Sequence, residues 1–287
     1  MSWTNYHSHT HYSDGKFEPE AYVQQAIAIG LKAYGFSCHS PFEGGHGWNM
    51  NPDRLKNYCE EILVLKEKYK SKIQLYLGLE VDFIPDVIGP KSAHILESHL
   101  DFTIGSIHYT GTFADGRYCE IDGPHQFFLE GLNKIYGGNV KLMIRTYYQL
   151  MREMLEQETP TILGHMDKIK IQNEGGHLFG EDELWYQNEV EKTLDLVKAK
   201  GVIIEVNTRG IYKGITIEPY PSKAILEQIN AKEIPIMLNS DAHLPGEIDK
   251  GFRDTAKLLK NMGFQQMMAL VDGKFKAFEF NENGLIF

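Results

Sequence analysis

The sequence has little cysteine, no long apolar run and no excess of positive charge. Three of its 287 residues are cysteines (Cys38, Cys59 and Cys119), and their odd number and wide spacing argue against a disulfide framework and favour a reducing compartment. No apolar run approaches the ~20 residues that a membrane-spanning helix needs. The first residues lack the basic stretch and apolar core of a secretion signal. We therefore expect a cytoplasmic protein with no membrane segment.

Acidic residues outnumber basic ones in this chain. It contains 39 Asp and Glu against 29 Lys and Arg, which gives a formal net charge of -10. Proteins that bind nucleic acids usually present a basic face, and anionic membranes attract basic segments. We therefore expect neither partner, and a small molecule is the expected one. The sequence does not indicate an oligomeric state.

Short apolar runs alternate with amphipathic stretches along the chain. Seven runs are predicted to be strands, at residues 3–7, 33–38, 73–81, 102–107, 161–165, 202–207 and 234–239. Six stretches are predicted to be helices, at residues 20–29, 52–69, 143–158, 183–200, 222–231 and 248–262. This alternation predicts an α/β fold with parallel strands, as a barrel or as a doubly wound open sheet. With seven units rather than eight, a barrel should be distorted or incompletely closed.

The alternation continues without a linker, a repeat or a low-complexity segment. A length of 287 residues suits one β/α barrel, so a single domain is expected over residues 1–287. Residues 41–51 and 109–124 are predicted to be long loops. Both follow predicted strand ends, so both are candidates to cover a functional site.

Most of the predicted strands end on side chains that commonly bind metals. The carboxyl ends of the strands of a parallel barrel lie on one face, so these side chains can meet there. Nine candidate ligands result: His7, His9, Asp14, His39, Glu80, His108, His165, Asp241 and His243. Such residues are the ligands of hydrolytic metal centres, and a catalytic zinc uses about three of them. Three divalent ions would fit this number.

Spacing within the motifs favours metal binding. His7 and His9 are two residues apart, and alternate residues of a strand share a face, so both rings can reach one ion. Glu80 ends an apolar run, where a carboxylate is costly to bury without a cation or a partner. It is the candidate to bridge two ions, and Asp82 is the competing choice. Each motif alone is weak, because a surface histidine pair or a salt bridge would also explain it.

The motifs follow one another in a particular order. They are His-x-His at the first strand, a lone His at the second, Gly-Leu-Glu at the third, Gly-Ser-Ile-His at the fourth, Gly-His at the fifth and Ser-Asp-Ala-His at the seventh. In this order and spacing, from His7 to His243, the chain resembles the polymerase and histidinol phosphatase family. One departure is Cys38, because many relatives have Asp immediately before the second-strand histidine.

The resemblance implies a distorted, TIM-like barrel of seven β/α units with a trinuclear metal site at the carboxyl ends of its strands. The implied ligands are His7, His9, Glu80 and Asp241 for a first metal, Glu80, His108 and His165 for a second, and Asp14, His39 and His243 for a third. Zinc, manganese and iron all suit such ligands. The residues expected to be catalytic are Asp241, His243 and Glu80.

Hydrolysis of a phosphomonoester is the reaction that the resemblance implies. The length and the segment at residues 37–41 are most similar to family members that convert L-histidinol phosphate to L-histidinol and phosphate in histidine biosynthesis. As a mechanism we hypothesise attack on phosphorus by a hydroxide that bridges two metals.

Candidates for substrate binding come from the loops. Arg117 and Arg209 are predicted to bind phosphate, because a guanidinium group binds phosphate through two parallel hydrogen bonds. Lys213 is a weaker candidate. Four further residues are candidates to contact the rest of the substrate: Glu43, His46, Trp48 and Asp115.

Three other functions remain open at this point. The same metal scaffold could act on nucleotides or on another small phosphate ester, although the acidic charge disfavours a polymer. An amidohydrolase-like barrel shares His-x-His and a late Asp, but it usually binds two metals and leaves Asp14, His39 and His243 unexplained. A barrel that holds metal only for stability is the non-catalytic alternative.

Overall fold

The computed structural model describes residues 1–287 and contains twelve strands and nine α-helices. In chain order the strands are β1 Thr4–Asn5, β2 Ala33–Phe36, β3 Gln74–Asp82, β4 Phe102–Ser106, β5 Tyr109–Thr112, β6 Tyr118–Glu120, β7 Ile162–Leu163, β8 Ile203–Asn207, β9 Ile236–Asn239, β10 Gln266–Val271, β11 Lys274–Asn281 and β12 Gly284–Leu285. The helices are α1 Pro19–Ala28, α2 Leu55–Tyr69, α3 Ala93–Glu97, α4 His125–Lys134, α5 Val140–Gln157, α6 Leu184–Lys200, α7 Arg209–Tyr212, α8 Lys223–Ala231 and α9 Phe252–Asn261. None of these helices combines the length and the apolar character that a membrane crossing requires.

Seven strands form one parallel sheet that curves into a nearly closed barrel. Their order is β1, β2, β3, β4, β7, β8 and β9, so neighbours in the sheet follow one another along the chain. The strand β3 is buried along almost its whole length, as expected for a strand covered on both faces. The predicted distorted barrel of seven β/α units is confirmed, and each of the seven predicted strands is present.

The first and last barrel strands meet through one bridge rather than a ladder. Ser8 and Ala242 pair in parallel just beyond the ends of β1 and β9. The His9 N–H donates to the Ala242 carbonyl at 2.8 Å, and the Ala242 N–H donates to the His7 carbonyl at 3.2 Å. The barrel therefore closes at its carboxyl end, beside the residues that were predicted to bind metal.

Two buried asparagines supply the other hydrogen bonds between the first and last strands. Asn239 Oδ1 accepts from the Tyr6 N–H at 2.9 Å. Asn5 Oδ1 accepts from the Ser240 N–H at 3.3 Å and from the His7 N–H at 3.1 Å. Asn5 Nδ2 donates to Ser240 Oγ at 2.9 Å. Side-chain amides thus replace a missing backbone ladder and satisfy buried backbone groups that would otherwise be unpaired.

Apolar side chains fill the interior of the barrel below its carboxyl end. The cluster consists of Tyr6, Ala33, Tyr76, Phe102, Ile104, Ile162, Ile203, Met237 and Leu270, all of them buried. The hydroxyl of Tyr6 donates to the Leu270 carbonyl at 2.7 Å, which ties β10 to this interior. The barrel is therefore packed rather than hollow, and it gives the polar residues above it a rigid base.

The structure differs from the sequence-based expectation in three places. Residues 109–124, predicted to be a loop, contain the antiparallel hairpin of β5 and β6. Residues 266–285, which follow the last predicted helix, form a three-stranded antiparallel sheet. The last helix begins at Phe252 rather than near residue 248, because Gly251 has a φ of 78° and interrupts the helical backbone.

Replacing Asn5 with alanine is expected to destabilise the barrel closure. Asn5→Ala leaves the buried His7 and Ser240 N–H groups without their acceptor, so the free energy of unfolding should fall by at least about 2 kcal/mol. Urea unfolding of the metal-free protein measures this change. The matched control is Asn261→Ala, because Asn261 is exposed at the end of α9. Equal stability of the two variants would contradict the closure role.

Candidate metal centre

The nine predicted ligand residues lie together at the carboxyl ends of the barrel strands. Eight of them are buried, and Asp14 is half-buried. Three groups have candidate ligand atoms that all lie within 4.8 Å of one another: His9, Asp14, His39 and His243; His7, His9 and Asp241; and His39, Glu80 and His108. The predicted convergence of distant residues is therefore present in the structure.

Glu80 lies at the centre of this cluster. Its carboxylate is within 3.5 Å of ring nitrogens of His7, His9, His39, His108 and His165. The grouping differs in detail from the ligand sets implied by the family resemblance. His9 and His39 each belong to two groups, whereas His165 belongs to none of the three and instead meets Glu80 Oε1 at 2.9 Å through its Nε2.

Several buried polar atoms of the cluster have no hydrogen-bond partner in the protein. They are His7 Nε2, both ring nitrogens of His9, Asp14 Oδ1, His39 Nδ1, His108 Nε2 and His165 Nδ1. Buried polar atoms are almost always paired, because an unpaired one costs about 1–3 kcal/mol. Imidazole nitrogens and carboxylate oxygens are also the ligands of zinc and similar ions. The donor set therefore fits divalent metal ions.

The pKa values of three histidines of the cluster, His9, His39 and His165, are lowered, chiefly by burial. Burial, with a smaller contribution from neighbouring histidines, lowers the pKa of His9 to about 4 and that of His39 to about 3. Both rings are therefore neutral at pH 7 and offer lone pairs to an ion. Burial opposes charging of His108 as well, but the carboxylates of Asp82 and Glu80 outweigh it and raise the pKa of His108 to about 9.

Two further buried carboxylates contact the predicted ligands from behind. Asp82 Oδ1 lies 2.7 Å from His108 Nδ1, and Glu205 Oε1 lies 2.6 Å from His7 Nδ1. Glu205 also accepts from the His165 N–H at 3.0 Å. Carboxylates in such positions fix the ring orientation and strengthen the opposite nitrogen as a ligand. Asp82, the alternative candidate for the bridging ligand, therefore contacts a candidate ligand, His108, from behind. Glu205 was not predicted from the sequence, because it lies within an apolar run.

A pocket of about 430 Å³ opens over the cluster. Five of the predicted ligand residues line it, namely Asp14, His39, His108, Asp241 and His243. Arg209 lines it too, and its Nη1 donates to the Asp241 carbonyl at 2.8 Å. Other lining residues that the sequence pattern did not reveal are Glu120, Asp122, Lys168 and Tyr220. Acidic and basic groups therefore face the same cavity.

The glycine-rich segment at residues 41–51 reaches the pocket through Trp48. The Trp48 ring meets the rings of His39 and His108 edge-on, with centroids 4.4 and 5.2 Å apart, and stacks on Tyr109 at 5.5 Å. His46 and Glu43 line a neighbouring cavity instead. Nδ1 of His46 contacts the carboxylate of Glu120, a residue of the metal-site pocket.

Arg117 and Asp115 do not line the pocket. Arg117 Nε donates to Asp115 Oδ2 at 2.9 Å, and its guanidinium covers the Phe113 ring at 4.7 Å. Arg117 Nη2 lies 3.3 Å from Glu130. Both residues belong to the tip of the β5–β6 hairpin and border a separate surface cavity. The geometry does not support their predicted roles in substrate binding, because the presumed loop is a hairpin that holds them elsewhere. Lys213 also lies outside the pocket wall and pairs with Glu247.

The seven-stranded barrel and the cluster of histidines and carboxylates at its carboxyl end define a β/α barrel with a candidate metal site. The sequence profile of the PHP domain matches residues 5–209, and the chain belongs to the PHP domain family. The resemblance to this family inferred from the motifs is confirmed.

Proteins described as histidinol-phosphatases are similar to this chain over most of its length. It is 29% identical over 247 residues to a probable histidinol-phosphatase of Deinococcus radiodurans, covering 85% of this chain and 87% of that protein. It is 24% identical over 258 residues to the histidinol-phosphatase of Bacillus subtilis, covering 79% and 87%. The crystal structure of histidinol phosphate phosphatase from Lactococcus lactis, complexed with zinc, L-histidinol and phosphate, matches with a TM-score of 0.70 at 23% identity and covers 96% of this chain and 99% of that one. This structural match shows a shared fold.

Zinc binding is expected to release protons near neutral pH. Burial opposes charging of His108, but the carboxylates of Asp82 and Glu80 outweigh it and raise the pKa of His108 to about 9, so this ring is protonated at pH 7.5 in the metal-free protein. A metal ligand must be unprotonated, so binding should displace about one proton from the His108 ring. Calorimetric titration with zinc in buffers of different ionisation enthalpy measures the release.

The control for this experiment is Asp82→Asn, which removes the carboxylate that contributes most to the raised pKa of His108. Its proton release at pH 7.5 should be lower than that of the unsubstituted protein by about one proton. Equal proton release by the two proteins would contradict the assignment of a protonated His108.

Proposed function

We propose that the chain is a metal-dependent phosphomonoesterase that hydrolyses L-histidinol phosphate to L-histidinol and phosphate in histidine biosynthesis. The observation that carries this proposal is the buried cluster of unpaired imidazole nitrogens and carboxylates beneath a pocket that also contains fixed cations. Membership of the PHP domain family supports it, as do the histidinol-phosphatases that match most of the chain. The Lactococcus lactis structure, which contains zinc, L-histidinol and phosphate, supports the choice of metal and substrate.

Three divalent ions, zinc, manganese or iron, are proposed to bind to the nine side chains. The proposed sets are His7, His9, Glu80 and Asp241; Glu80, His108 and His165; and Asp14, His39 and His243. The proximity of His7, His9 and Asp241 supports the first set, and that of Asp14, His39 and His243 supports the third. The contacts of Glu80 with His108 and His165 support the second. When bound, such ions would lower the pKa of water and offset negative charge on the phosphoryl group.

Arg209 is proposed to hold the phosphate and to position Asp241. Asp241 has a φ of 54°, a conformation that costs energy for residues other than glycine. Its carbonyl accepts from Arg209 Nη1 at 2.8 Å and from the Tyr212 hydroxyl at 3.1 Å, and Asn207 Nδ2 lies 3.3 Å from its carboxylate. These contacts fix the Asp241 backbone. The remaining N–H groups of Arg209 are available to a phosphate in the pocket.

Binding the organic part of the substrate requires an anionic side chain that pairs with its ammonium group and a side chain that packs against its imidazole ring. Glu120 lines the pocket and is proposed to bind the ammonium group. His46 pairs with Glu120, so His46 acts through that carboxylate rather than on the substrate. Trp48, packed against His39 and His108, is the proposed wall for the imidazole ring.

A panel of phosphate esters tests the proposed substrate. The zinc- or manganese-loaded protein should hydrolyse L-histidinol phosphate with a kcat/KM at least about tenfold above that for sugar and nucleoside monophosphates, because only the first offers a cationic group to Glu120. Phosphate release measures the rates. Higher kcat/KM for a nucleoside monophosphate would refute the substrate assignment, and the lack of any phosphatase activity would refute the enzyme class.

Replacing Asp241 with asparagine is expected to abolish most activity with the fold kept. Asp241→Asn keeps the side-chain size and removes the charge, so kcat/KM should fall by more than about 100-fold and the bound metal per chain should decrease. Elemental analysis measures the metal, and circular dichroism reports the fold. The control is Asp254→Asn, an exposed aspartate of α9. Full activity with full metal content in Asp241→Asn would exclude its role as a ligand.

A further inference from the structure

Lys168 is a cation in the wall of the metal-site pocket, and nothing in the sequence pattern singled it out. Its side chain is 13% exposed, and Nζ lies 3.0 Å from Asp122 Oδ2. Arg209 is the other fixed cation of the wall, and the remaining charged groups there are carboxylates and histidines. A lysine is rarely this buried unless it is paired or has a ligand to bind.

The ammonium group of Lys168 is only partly used by the protein. An ammonium group has three donors, and Asp122 is the one carboxylate within ion-pair distance. Burial disfavours the charge, but the carboxylates of Asp122, Asp241 and Glu80 outweigh it and raise the pKa of Lys168. Lys168 therefore presents an ammonium group to the pocket, with donors left for an anionic ligand.

The neighbouring Lys170, in contrast to Lys168, has all its ionic contacts within the protein. Its Nζ lies 3.2 Å from Asp167 and 3.0 Å from Glu218, so two carboxylates neutralise it. Lys170 does not line the pocket. Of these two lysines in one short segment, the one that faces the pocket has a single carboxylate partner.

Two elements of the fold hold Lys168 in position. Its backbone N–H donates to the His165 carbonyl at 2.9 Å, and a 3₁₀ turn at Lys168–Gln172 begins there, in the segment that follows β7. Asp122, from the segment that follows β6, holds the side chain. A cation fixed in this way needs no rearrangement when charge develops on a substrate.

We propose that Lys168 binds the phosphoryl group of the substrate, donating from Nζ to a non-bridging phosphate oxygen, and that Asp122 is the positioning residue that holds the ammonium group. This role depends on the proposed phosphatase function. Lys168 and Arg209 then bind the phosphate dianion as the two fixed cations of the pocket. Lysine suits this task because it binds phosphate as a compact point charge.

Lys168→Met tests the role because methionine keeps much of the side-chain length and removes the charge. The kcat/KM for the phosphate ester should fall about 10- to 100-fold, and the inhibition constant of inorganic phosphate should rise by a similar factor. Lys168→Arg should recover part of both values. The metal content should equal that of the unsubstituted protein, because Lys168 is not a ligand.

The matched control is Arg253→Met, which removes one positive charge from the exposed surface of α9 and should leave both constants unchanged. Asp122→Asn tests the positioning role. It should raise the phosphate inhibition constant less than Lys168→Met does, and it should add no further loss in the Lys168→Met background, since Asp122 acts through Lys168.

Thermal unfolding with and without millimolar inorganic phosphate gives a readout that needs no turnover. Phosphate should raise the Tm of the metal-loaded protein, and Lys168→Met should lose most of that rise. An unchanged phosphate inhibition constant or Tm rise in Lys168→Met would overturn the role of Lys168. If Lys168→Met does not fold, unchanged values in Asp122→Asn would overturn it. A protein that hydrolyses no phosphate ester refutes the proposed function, whereas the Tm measurement still decides whether Lys168 binds phosphate.

Discussion

The burial of carboxylates among imidazoles at the carboxyl end of the barrel is the constraint on which the rest of the structure depends. Glu80 is almost inaccessible and lies within 3.5 Å of nitrogens from five histidine rings. Without compensation, such groups cost far more than an apolar core would. Several of the ring nitrogens have no partner in the protein, and bound metal ions are the compensation that we propose. Stability and chemistry therefore depend on the same site.

The closure of the barrel and the orientation of the site belong to one hydrogen-bonded network. Asn239 accepts from the Tyr6 N–H and donates to Glu205 at 3.0 Å. Glu205 in turn lies against His7 and accepts from Asn207 at 3.0 Å, and Asn207 reaches Asp241. Because fully paired buried networks are rigid, the amides that join the first and last strands also hold the candidate ligands.

Much of the fold and of the candidate site could be predicted because strand ends of a parallel barrel share one face. The alternation of apolar and amphipathic runs identified all seven strands, and metal-type side chains after them indicated the cluster. Residues whose role depends on tertiary contacts could not be found this way. In the sequence, Lys168 cannot be distinguished from a surface lysine, because only the structure shows that it lines the pocket. Glu205 lies within a mostly apolar strand, β8, so no pattern marked it as a polar contact. Arg117 lies away from the pocket because the segment around Gly116, with a φ of 88°, is a short hairpin, and such a hairpin looks like a loop in sequence.

Anomalous diffraction at the zinc and manganese edges, from crystals of the metal-loaded protein, tests the central claim most directly. The account predicts anomalous peaks within about 2.0–2.3 Å of ligand atoms of Glu80, His7 and Asp241, with further peaks beside His165 and His243. Full-occupancy peaks that lie away from these side chains, or an ordered cluster with no anomalous signal, would contradict it.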